Sequence, residues 1–491
     1  MHYISTRDNS APLPSAKAID LGMVPAGGLF VPEQIPNVPT FNFPGETYQQ
    51  TAVRVLSALL SDFTKEEIEC CVKNAYTPDT FDVPSVINLV KIGESQHVME
   101  LWHGPTAAFK DVALQIMPHF MRFAKAKIGD DSQTLILVAT SGDTGKAALE
   151  GFKDVDGISI VVFYPHGGVS EVQKLQMATT DGRNTHVVAV KGNFDDCQTG
   201  VKELFGDESL RESAARHNVV FSSANSINWG RLCPQIVYYV KSYLMLVEQK
   251  VISYGDKVDF SIPTGNFGNI LAGYYAREMG LPIGKLICAS NKNNVLTDFF
   301  KTGVYDRNRQ FHRTMSPSMD ILISSNLERF LFEMTGHDAG KVKEWYSQLS
   351  KTGAFTVDQP VREKMASFIE AAWVDERQVL ETIGKVHGES GYVLDTHTAV
   401  AASAARSLGQ GDRPVVIAST ASPYKFSGDV LRGLGKSVSD DEFQSVNDLR
   451  DVSSMEVHRA VDGLKEKPVL HSSVIEIDQM KNAVQGIMAG L

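Results

Sequence analysis

The sequence predicts an α/β protein built on a mainly parallel sheet with helices on both faces. Five short runs rich in β-branched residues are each followed by a loop of small or polar residues and then by a segment with helical periodicity. These runs are residues 134–139, 158–163, 185–190, 258–262 and 413–419. Strands that alternate with helices in this way pair in parallel, and ligands bind at the carboxyl ends of such strands. The five loops are therefore the candidate ligand-binding segments.

The composition is that of a globular chain with several domains. The 491 residues are 43% hydrophobic and 21% charged, and this length predicts roughly two to four domains. The formal net charge of −11 disfavours a nucleic-acid-binding protein, because such proteins usually carry a basic surface. Since the sequence has no run of about 18 apolar residues and no apolar stretch of signal-peptide length at its start, we expect neither a membrane span nor a leader. The five cysteines fit no zinc spacing and no H-E-x-x-H pair occurs, so we expect reduced thiols, no metal site and a cytoplasmic protein.

The first candidate site is a lysine at the start of a predicted helix. In LWHGPTAAFKDVALQIMPHF, apolar residues from Phe109 to Phe120 follow helical spacing, and Thr106 is a candidate cap. Lys110 then falls in the first turn, where the helix dipole and apolar neighbours both lower the pKa of an amine. A nucleophilic or Schiff-base lysine needs such a lowered pKa. The position alone also fits a surface lysine with no role.

Two glycine-containing loops between a strand and a helix are candidate anion sites. TSGDTGKAALEGF, which begins at Thr140, offers hydroxyl groups beside a helix N-terminus. In SIPTGNFGNILAGYY, Gly265 and Gly268 let the backbone approach a phosphate closely. Neither loop is a nucleotide motif, because the first lacks the opening glycine of a P-loop and the second is not G-x-G-x-x-G. A tight strand-to-helix turn is the alternative for the first loop.

Two further strand-to-helix segments carry polar side chains that suit a ligand. In IASTASPYKFSGDV a buried-type strand enters a cluster of hydroxyls, and Thr420 or a neighbouring serine can hydrogen-bond a cofactor ring atom. In FSSANSINWGRLCPQIVYYV, Arg231 can form a planar fork with a carboxylate or phosphate. A helix-cap loop and a surface ion pair are the respective structural alternatives.

Taken in order, these segments resemble the fold-type II pyridoxal-phosphate (PLP) enzymes, the tryptophan synthase β-like group. Within that group, the chain is similar to the threonine synthase family in HGPTAAFKD, ATSGDTGKAA, SANSINWGR, PTGNFGN and SPSMDILISSNLER. The opening STRD and the segment DLGMVPAGGLFVP resemble the longer, yeast-like members, which have an N-terminal extension. The resemblance covers most of the chain. It implies a lyase with two doubly wound, mainly parallel sheets plus an N-terminal module.

The resemblance also implies roles for individual residues. Lys110 would be the catalytic residue and would hold pyridoxal 5'-phosphate as a Schiff base. Thr420 would face the pyridine nitrogen. The cofactor phosphate would lie against the backbone N–H groups of Gly265, Asn266, Phe267, Gly268 and Asn269. The substrate-binding residues would be Ser141, Asp143, Thr144, Asn225, Asn228 and Arg231. Many enzymes of the group have Asn at the position of Asp143, and because an ionised Asp cannot donate a hydrogen bond, the role of Asp143 stays open.

The reaction that the resemblance implies is the last step of threonine biosynthesis. O-phospho-L-homoserine and water would give L-threonine and phosphate, through γ-elimination of phosphate and addition of water at Cβ. The alternative is a PLP lyase on the same scaffold that converts a phosphorylated amino acid into a 2-oxo acid. A non-catalytic binding protein is disfavoured by the intact Lys110, Thr420 and 265–269 loop. We expect a monomer or homodimer that binds this small molecule and neither nucleic acid nor a membrane.

The change of pattern near residue 95 and the resemblance together predict three parts. Residues 1–95 would form the N-terminal module, and 130–235 a small α/β domain. Residues 96–129 and 236–491 would form the large PLP-binding domain, with a helical insertion at about 291–385.

Overall fold

The structure is a computed structural model that describes residues 1–38, 45–140, 142–167, 169–409 and 411–491. Its strands are β1 (Tyr3–Ser5), β2 (Phe30–Pro32), β3 (Asn88–Lys91), β4 (Gln96–Glu100), β5 (Gln133–Ala139), β6 (Ile158–Pro165), β7 (Thr185–Val190), β8 (Val219–Ser222), β9 (Val258–Pro263), β10 (Ile283–Ser290), β11 (Val304–Asp306), β12 (Ala354–Thr356), β13 (Ile369–Trp373), β14 (Val415–Ser419) and β15 (Val474–Ile475). Its α-helices are α1 (Ser15–Leu21), α2 (Tyr48–Leu59), α3 (Lys65–Ala75), α4 (Lys110–Leu114), α5 (Met117–Ile128), α6 (Asp143–Phe152), α7 (Glu171–Ala178), α8 (Phe194–Gly206), α9 (Glu208–Arg216), α10 (Trp229–Leu232), α11 (Pro234–Glu248), α12 (Gly268–Glu278), α13 (Val295–Thr302), α14 (Leu327–Met334), α15 (Ala339–Thr352), α16 (Gln359–Ala366), α17 (Glu376–Ser390), α18 (Thr396–Ser407), α19 (Ser427–Gly433), α20 (Glu442–Ser453) and α21 (Met480–Met488). Short 3-10 helices occur at Pro317–Met319, Pro423–Phe426 and Ile477–Gln479. Within these parts of the chain, every helix is too short or too polar to cross a bilayer.

The larger sheet has six strands in the order β13-β10-β9-β14-β4-β3. All neighbours are parallel except β3 and β4. The central strands β9 and β14 are buried along their whole length, as expected for parallel strands with both faces covered. In β14, Val416 and Ala418 join the core that contains Ile270 of α12, whereas Ile417 joins the core that contains Val400 of α18. Helices therefore cover both faces of this sheet, because successive side chains of a strand point to opposite sides.

The smaller sheet has five parallel strands in the order β15-β7-β6-β5-β8. In β6, Ile160 and Val162 enter one core, and Val161 and Phe163 enter another. The smaller sheet is therefore also covered on both faces. The two sheets confirm the predicted α/β class with doubly wound, mainly parallel sheets and an added N-terminal module.

The strand pairings assign three segments differently from the predicted domain ranges. Strand β3 falls in the predicted N-terminal module but pairs with β4 of the larger sheet. Strand β15 falls in 236–491 but pairs with β7 of the smaller sheet. The C-terminal segment lies against the smaller sheet because Met480, Val484 and Met488 form an apolar stripe on α21, and this stripe packs into the core of that sheet. Strand β13 falls in the insertion predicted at about 291–385, yet it is an edge strand of the larger sheet.

The N-terminal module is joined to α14 by buried polar contacts. Glu328 accepts hydrogen bonds from Thr6 Oγ1 at 2.6 Å, from Arg7 Nε at 2.9 Å and from Arg7 Nη2 at 2.7 Å. The next residue, Arg329, is fully buried and donates to a carbonyl oxygen of β2 at 2.8 Å and to Asn326 Oδ1 at 2.7 Å. Because forked, charge-assisted bonds fix both partners, the opening STRD segment holds the start of α14 in place.

Candidate active site

Neighbouring strands bring the candidate segments to one edge of the larger sheet. Strands β4, β14 and β9 are parallel neighbours, so their carboxyl ends lie at the same edge. Strand β4 leads towards Lys110, β14 leads into Thr420, and β9 leads into the loop that precedes α12. From the smaller sheet, β5 leads into α6, which begins at Asp143.

Backbone hydrogen bonds join the segment before Lys110 to the loop that follows β14. Phe109 N donates to the Thr420 carbonyl oxygen at 2.9 Å, and Ser422 N donates to the Ala107 carbonyl oxygen at 3.1 Å. Ala107 has a φ of 58°, in the left-handed region that turns a chain sharply. These bonds place Lys110, the first residue of α4, beside Thr420.

Thr106 does not cap α4, so the predicted capping role is wrong. The position before the helix is Phe109, and no side chain caps it. Thr106 instead binds the Asp111 carboxylate through its N at 2.9 Å and its Oγ1 at 2.7 Å. Burial raises the pKa of Asp111 to about 6, although the two Thr106 bonds act in the opposite direction. The bonds between Asp111 and Thr106 therefore stabilise the turn that precedes α4. Residue 104 in this turn must be glycine, because a Cβ there would overlap the Asp111 side chain.

Lys110 meets Asp143 in a nearly buried ion pair. The distance from Lys110 Nζ to Asp143 Oδ2 is 3.3 Å, and the exposed fractions of the two side chains are 11% and 5%. Burial lowers the pKa of Lys110, while Asp143 raises it. The neighbouring cations Lys425 and Arg231 lower this pKa further. The net direction is downward, which confirms the predicted direction and leaves an amine that loses its proton more readily than a free lysine.

Asp143 is the centre of a polar cluster. Lys425 Nζ lies 2.6 Å from Oδ1, Gln173 Nε2 donates to Oδ1 at 2.9 Å, and Ser318 Oγ donates to Oδ2 at 3.2 Å. Burial would raise the pKa of Asp143, but Lys110 and Lys425 hold that pKa well below its usual range. Asp143 is therefore an ionised acceptor for every one of these neighbours.

Lys425, Gln173 and Ser318 are site residues that the sequence patterns did not single out. The signal that could have identified Lys425 is its position in a loop of apolar and hydroxyl residues, five positions after Thr420. A lysine in such surroundings is seldom buried without a partner. Ser318 lies 175 residues from Asp143 along the chain. Its approach depends on tertiary packing, and no local pattern predicts it.

The loop between β9 and α12 has the features of a phosphate cradle. Phe267 has a φ of 61°, α12 begins at Gly268, and no side chain caps its first turn. Asn269 is buried, and its Oδ1 accepts hydrogen bonds from two tyrosines. Its Nδ2 has no partner among the described residues. Uncapped N–H groups and an unpartnered amide at a helix N-terminus fit an anion such as the phosphate of PLP.

Neighbouring segments hold this loop from outside. Asn326 N and Nδ2 donate to the Asn266 carbonyl oxygen at 3.1 and 3.0 Å. Ser324 Oγ donates to the Gly265 carbonyl oxygen at 2.8 Å. Since Arg329 fixes Asn326 and also reaches β2, the N-terminal module supports the cradle through α14.

We expect Gly265→Ala to weaken PLP binding about 10- to 100-fold. A Cβ at Gly265 would lie 2.9 Å from the Ser318 carbonyl oxygen and 3.2 Å from Met319 Cα. Overpacking of this kind costs about 1–3 kcal/mol, so the loop must move away from its present position. Titration of cofactor-free protein with PLP, followed by absorbance, measures the change. Gly388→Ala is the control, because a Cβ there meets no atom within 4 Å, and equal affinities of the two variants would contradict the cradle.

Within the described parts of the chain, Arg231 is a buried cation that has no acidic partner. Its Nη1 donates to the Ala224 carbonyl oxygen at 2.7 Å, and its Nε has no partner among the described residues. Burial alone lowers its pKa to about 10, so the guanidinium remains charged near neutral pH. A buried charge without a counter-ion costs free energy. A bound anion would supply the missing partner.

The other predicted substrate residues do not all join this cluster. Thr144 is half-buried and follows Asp143 in the first turn of α6, whereas Asn225 is exposed. Asn228 is buried, and its Oδ1 accepts from Gly230 N at 2.9 Å while its Nδ2 donates to a carbonyl oxygen of α1 at 3.0 Å. Both ends of the Asn228 amide are thus used inside the fold, which corrects its predicted role to that of a helix cap. Ser141 lies outside the described residues.

His103 anchors the start of the segment that leads to Lys110. Its Nδ1 lies 2.6 Å from Asp82 Oδ1, and its Nε2 lies 3.1 Å from Glu100 Oε2. Its ring stacks on Trp102 with centroids 4.4 Å apart. Burial would lower the pKa of His103, but the two carboxylates raise it to about 9.

We expect His103 to make stability depend on pH. A histidine whose pKa is raised from 6.5 to about 9 on folding stabilises the fold fully below pH 6.5 and loses this effect as the pH rises through 9. The loss is at most about 3 kcal/mol. Urea denaturation at a series of pH values should show this decline for wild type and for the exposed control His217→Gln, but not for His103→Gln. A decline of equal size in His103→Gln would assign it to another group.

Comparison with known proteins places the chain in a family. Residues 2–76 match the family described as threonine synthase N terminus, and residues 91–420 match the family described as pyridoxal-phosphate dependent enzyme. Threonine synthase of Saccharomyces cerevisiae is 35% identical over an alignment 519 residues long. The alignment covers 99% of this chain and 98% of that protein. The chain belongs to the threonine synthase family. The predicted family and the predicted PLP cofactor are thereby confirmed.

Other members of the family are similar over most of the chain. The crystal structure of PLP-bound threonine synthase from Brucella melitensis matches with a TM-score of 0.89 at 34% identity and covers 99% of both chains. Threonine synthase-like 1 of Homo sapiens is 39% identical over 474 residues, or 94% of this chain. The chain spans 62% of the length of that human relative.

Proposed function

We propose that the chain is a threonine synthase, which converts O-phospho-L-homoserine and water into L-threonine and phosphate. The observation that carries the proposal is the nearly buried Lys110 with a lowered pKa, close to an arginine that meets no acidic side chain in the described ranges. The uncapped start of α12 provides a second place for an anion. Cationic and N–H-rich groups of this kind suit a phosphate cofactor and a substrate that carries both a carboxylate and a phosphate. Membership of the threonine synthase family favours this reaction over other PLP reactions.

The residues present fit PLP. Lys110 would carry the covalent link to the cofactor, Thr420 would face the ring nitrogen, and the 265–269 loop would hold the phosphate. Asp143 and Thr144 would contact the substrate, and the same role is proposed for Ser141. When bound, PLP supplies an electron sink that stabilises negative charge at the α-carbon of the substrate.

Lys110 would also move the protons of the reaction. Its Nζ is the group that would take the proton from the α-carbon and return it further along the substrate, and a lowered pKa increases the fraction that can do so near neutral pH. Asp143 would keep Nζ in place between these transfers. Arg231 would hold an anionic group of the substrate with its unpartnered N–H. The burial of Lys110 and Asp143 limits competition from water.

One assay on the purified, PLP-loaded protein tests this function. O-phospho-L-homoserine is added, the cofactor spectrum is recorded, and free phosphate and threonine are quantified together. Equal yields of phosphate and threonine are the expected result. Phosphate with a 2-oxo acid and little threonine would support the lyase alternative. Absence of both a PLP band and phosphate release would refute the enzyme assignment.

Two finer proposals rest on the sequence alone. The chain is proposed to act in the cytoplasm and to be a monomer or a homodimer. Sedimentation of the purified protein at several concentrations distinguishes the two oligomeric states.

A further inference from the structure

Lys425 is a buried cation beside Lys110 for which no role has been assigned. Its side chain has an exposed fraction of 0%. Its Nζ lies 2.6 Å from Asp143 Oδ1 and donates to the Thr106 carbonyl oxygen at 3.1 Å. The loop that carries it is clasped by backbone bonds to residues 107–109. The ammonium group of Lys425 is therefore fixed against Asp143 and against the segment that leads into α4.

The Asp143 carboxylate faces an ammonium group on each of its oxygens. Lys110 Nζ lies 3.3 Å from Oδ2, and Lys425 Nζ lies 2.6 Å from Oδ1. Under the proposed function, Lys110 changes state, since it carries the cofactor and moves protons. Lys425 takes part in neither task. It therefore remains a counter-ion for Asp143 whatever the state of Lys110.

We propose that Lys425 is a positioning residue that acts through Asp143: it holds Oδ1, fixes the direction of the carboxylate towards Lys110, and shares its negative charge, so that Lys110 does not have the whole carboxylate as its counter-ion. The inference rests on the proposed function, because it assigns Lys425 a task in the chemistry of the PLP-bound lysine.

Three other titratable or charged groups face this arrangement. Arg231 of α10 adds positive charge near Lys110. Asp111 of α4 and His458 both interact electrostatically with Lys425. Burial lowers the pKa of His458 to about 4 and raises the pKa of Asp111 to about 6, so the histidine is neutral near pH 7. Apart from Lys110, Lys425 is the cation that lies in direct contact with the carboxylate among the described residues.

Removal of the Lys425 charge should raise the pKa of the Lys110 nitrogen. Burial lowers the pKa of Lys110, and the positive charge of Lys425 lowers it further. A carboxylate left with one cation also stabilises the protonated form of that cation more strongly. In Lys425→Met, the proton on the Lys110 nitrogen should therefore leave at a higher pH. We expect kcat/KM to fall about tenfold near neutral pH and to recover as the pH is raised.

The test follows the absorption of the PLP-loaded full-length protein as a function of pH. Lys425→Met should move the midpoint of the spectral titration to higher pH, and Lys425→Arg, which keeps the charge, should restore the wild-type midpoint. Lys146→Met is the matched control. Lys146 is also a buried lysine, but it forms its ion pair with Glu150, so its removal should leave the midpoint unchanged.

A double variant tests whether Lys425 acts through Asp143. In Asp143→Asn, the further change Lys425→Met should shift the midpoint less than it does in wild type, because the carboxylate is absent and only the direct effect of the Lys425 charge on Lys110 remains. A full additional shift in the double variant would overturn the proposal, since Lys425 would then act directly. A wild-type midpoint in Lys425→Met would overturn it as well. If Lys425→Met does not fold, Lys425→Gln takes its place, because the amide can still donate to the Thr106 carbonyl oxygen.

The spectral titration needs no substrate, so its result is separate from that of the threonine assay. A protein that shows the shift in Lys425→Met but makes no threonine would refute the proposed reaction and keep the role of Lys425. A protein that makes threonine with no shift in Lys425→Met would refute only the role of Lys425.

Discussion

Lys110→Ala is expected to lose the PLP absorption band and to lose at least about 10³-fold of its threonine-forming activity. Proton transfer by a positioned side chain contributes about 10²–10⁴-fold, and this variant would lack the covalent link to the cofactor as well. The fold should survive, because Asp143 keeps Lys425 as an ion-pair partner at 2.6 Å. The spectrum, a threonine assay and thermal unfolding of the same preparation measure the three effects.

The control for Lys110 is another buried lysine. Lys125 of α5 donates to the Ser132 carbonyl oxygen at 2.6 Å and to Ser132 Oγ at 2.8 Å, so its contacts do not include Asp143. Lys125→Met should keep both the absorption band and the turnover. Addition of a small primary amine to Lys110→Ala should restore part of the turnover, because the missing group is an amine. Wild-type turnover in Lys110→Ala would refute the proposed mechanism.

The fold class could be predicted because local patterns carry it. All five β-branched runs lie on strands, in β5, β6, β7, β9 and β14. Strand β4 was missed, although it is buried along its whole length, because its sequence includes Gln96, His97 and Glu100. A buried carboxylate such as Glu100 needs hydrogen-bond partners, whereas neither ring nitrogen of His97 has a partner among the described residues. Glu100 accepts from Tyr392 OH at 2.7 Å and from an asparagine of β3 at 2.9 Å, and no local pattern contains these partners.

The site could be predicted in part for the same reason. Lys110, Thr420 and the 265–269 loop each follow a strand, so local patterns and the common edge of the sheet bring them together. The sequence could not separate Asn228 from Arg231, which are three residues apart. Asn228 binds a carbonyl oxygen 209 residues away, whereas Arg231 meets no acid among the residues that the structure describes. Only the packing of α1 against α10 decides which side chain remains free for a ligand.

Arg231→Lys is expected to raise KM for O-phospho-L-homoserine about 10- to 100-fold and to leave PLP affinity nearly unchanged. A hydrogen bond to a charged group contributes about 1.5–3 kcal/mol, and each 1.4 kcal/mol corresponds to about tenfold in binding. A lysine keeps the charge but loses the planar fork, including the Nε, for which the described residues offer no partner. Steady-state kinetics gives KM, and titration with PLP gives the cofactor affinity. Equal losses of substrate and cofactor binding would indicate a structural role.

Comparison with a second buried arginine shows how the stability of variants can distinguish a structural role of Arg231 from a substrate-binding role. Arg329 donates to the Phe30 carbonyl oxygen at 2.8 Å, to Asn326 Oδ1 at 2.7 Å and to the Ile227 carbonyl oxygen at 2.5 Å. Because its bonds lie within the fold, Arg329→Lys should lower the melting temperature. Arg231 donates to a single carbonyl oxygen, that of Ala224, and meets no acid in the part of the chain that the structure describes, and such a charge costs free energy until an anion binds. Arg231→Met, measured without substrate, should therefore be as stable as wild type or more stable, although it binds substrate poorly. Destabilisation of Arg231→Met to the level of Arg329→Lys would show that the fold, and not the substrate, requires this guanidinium.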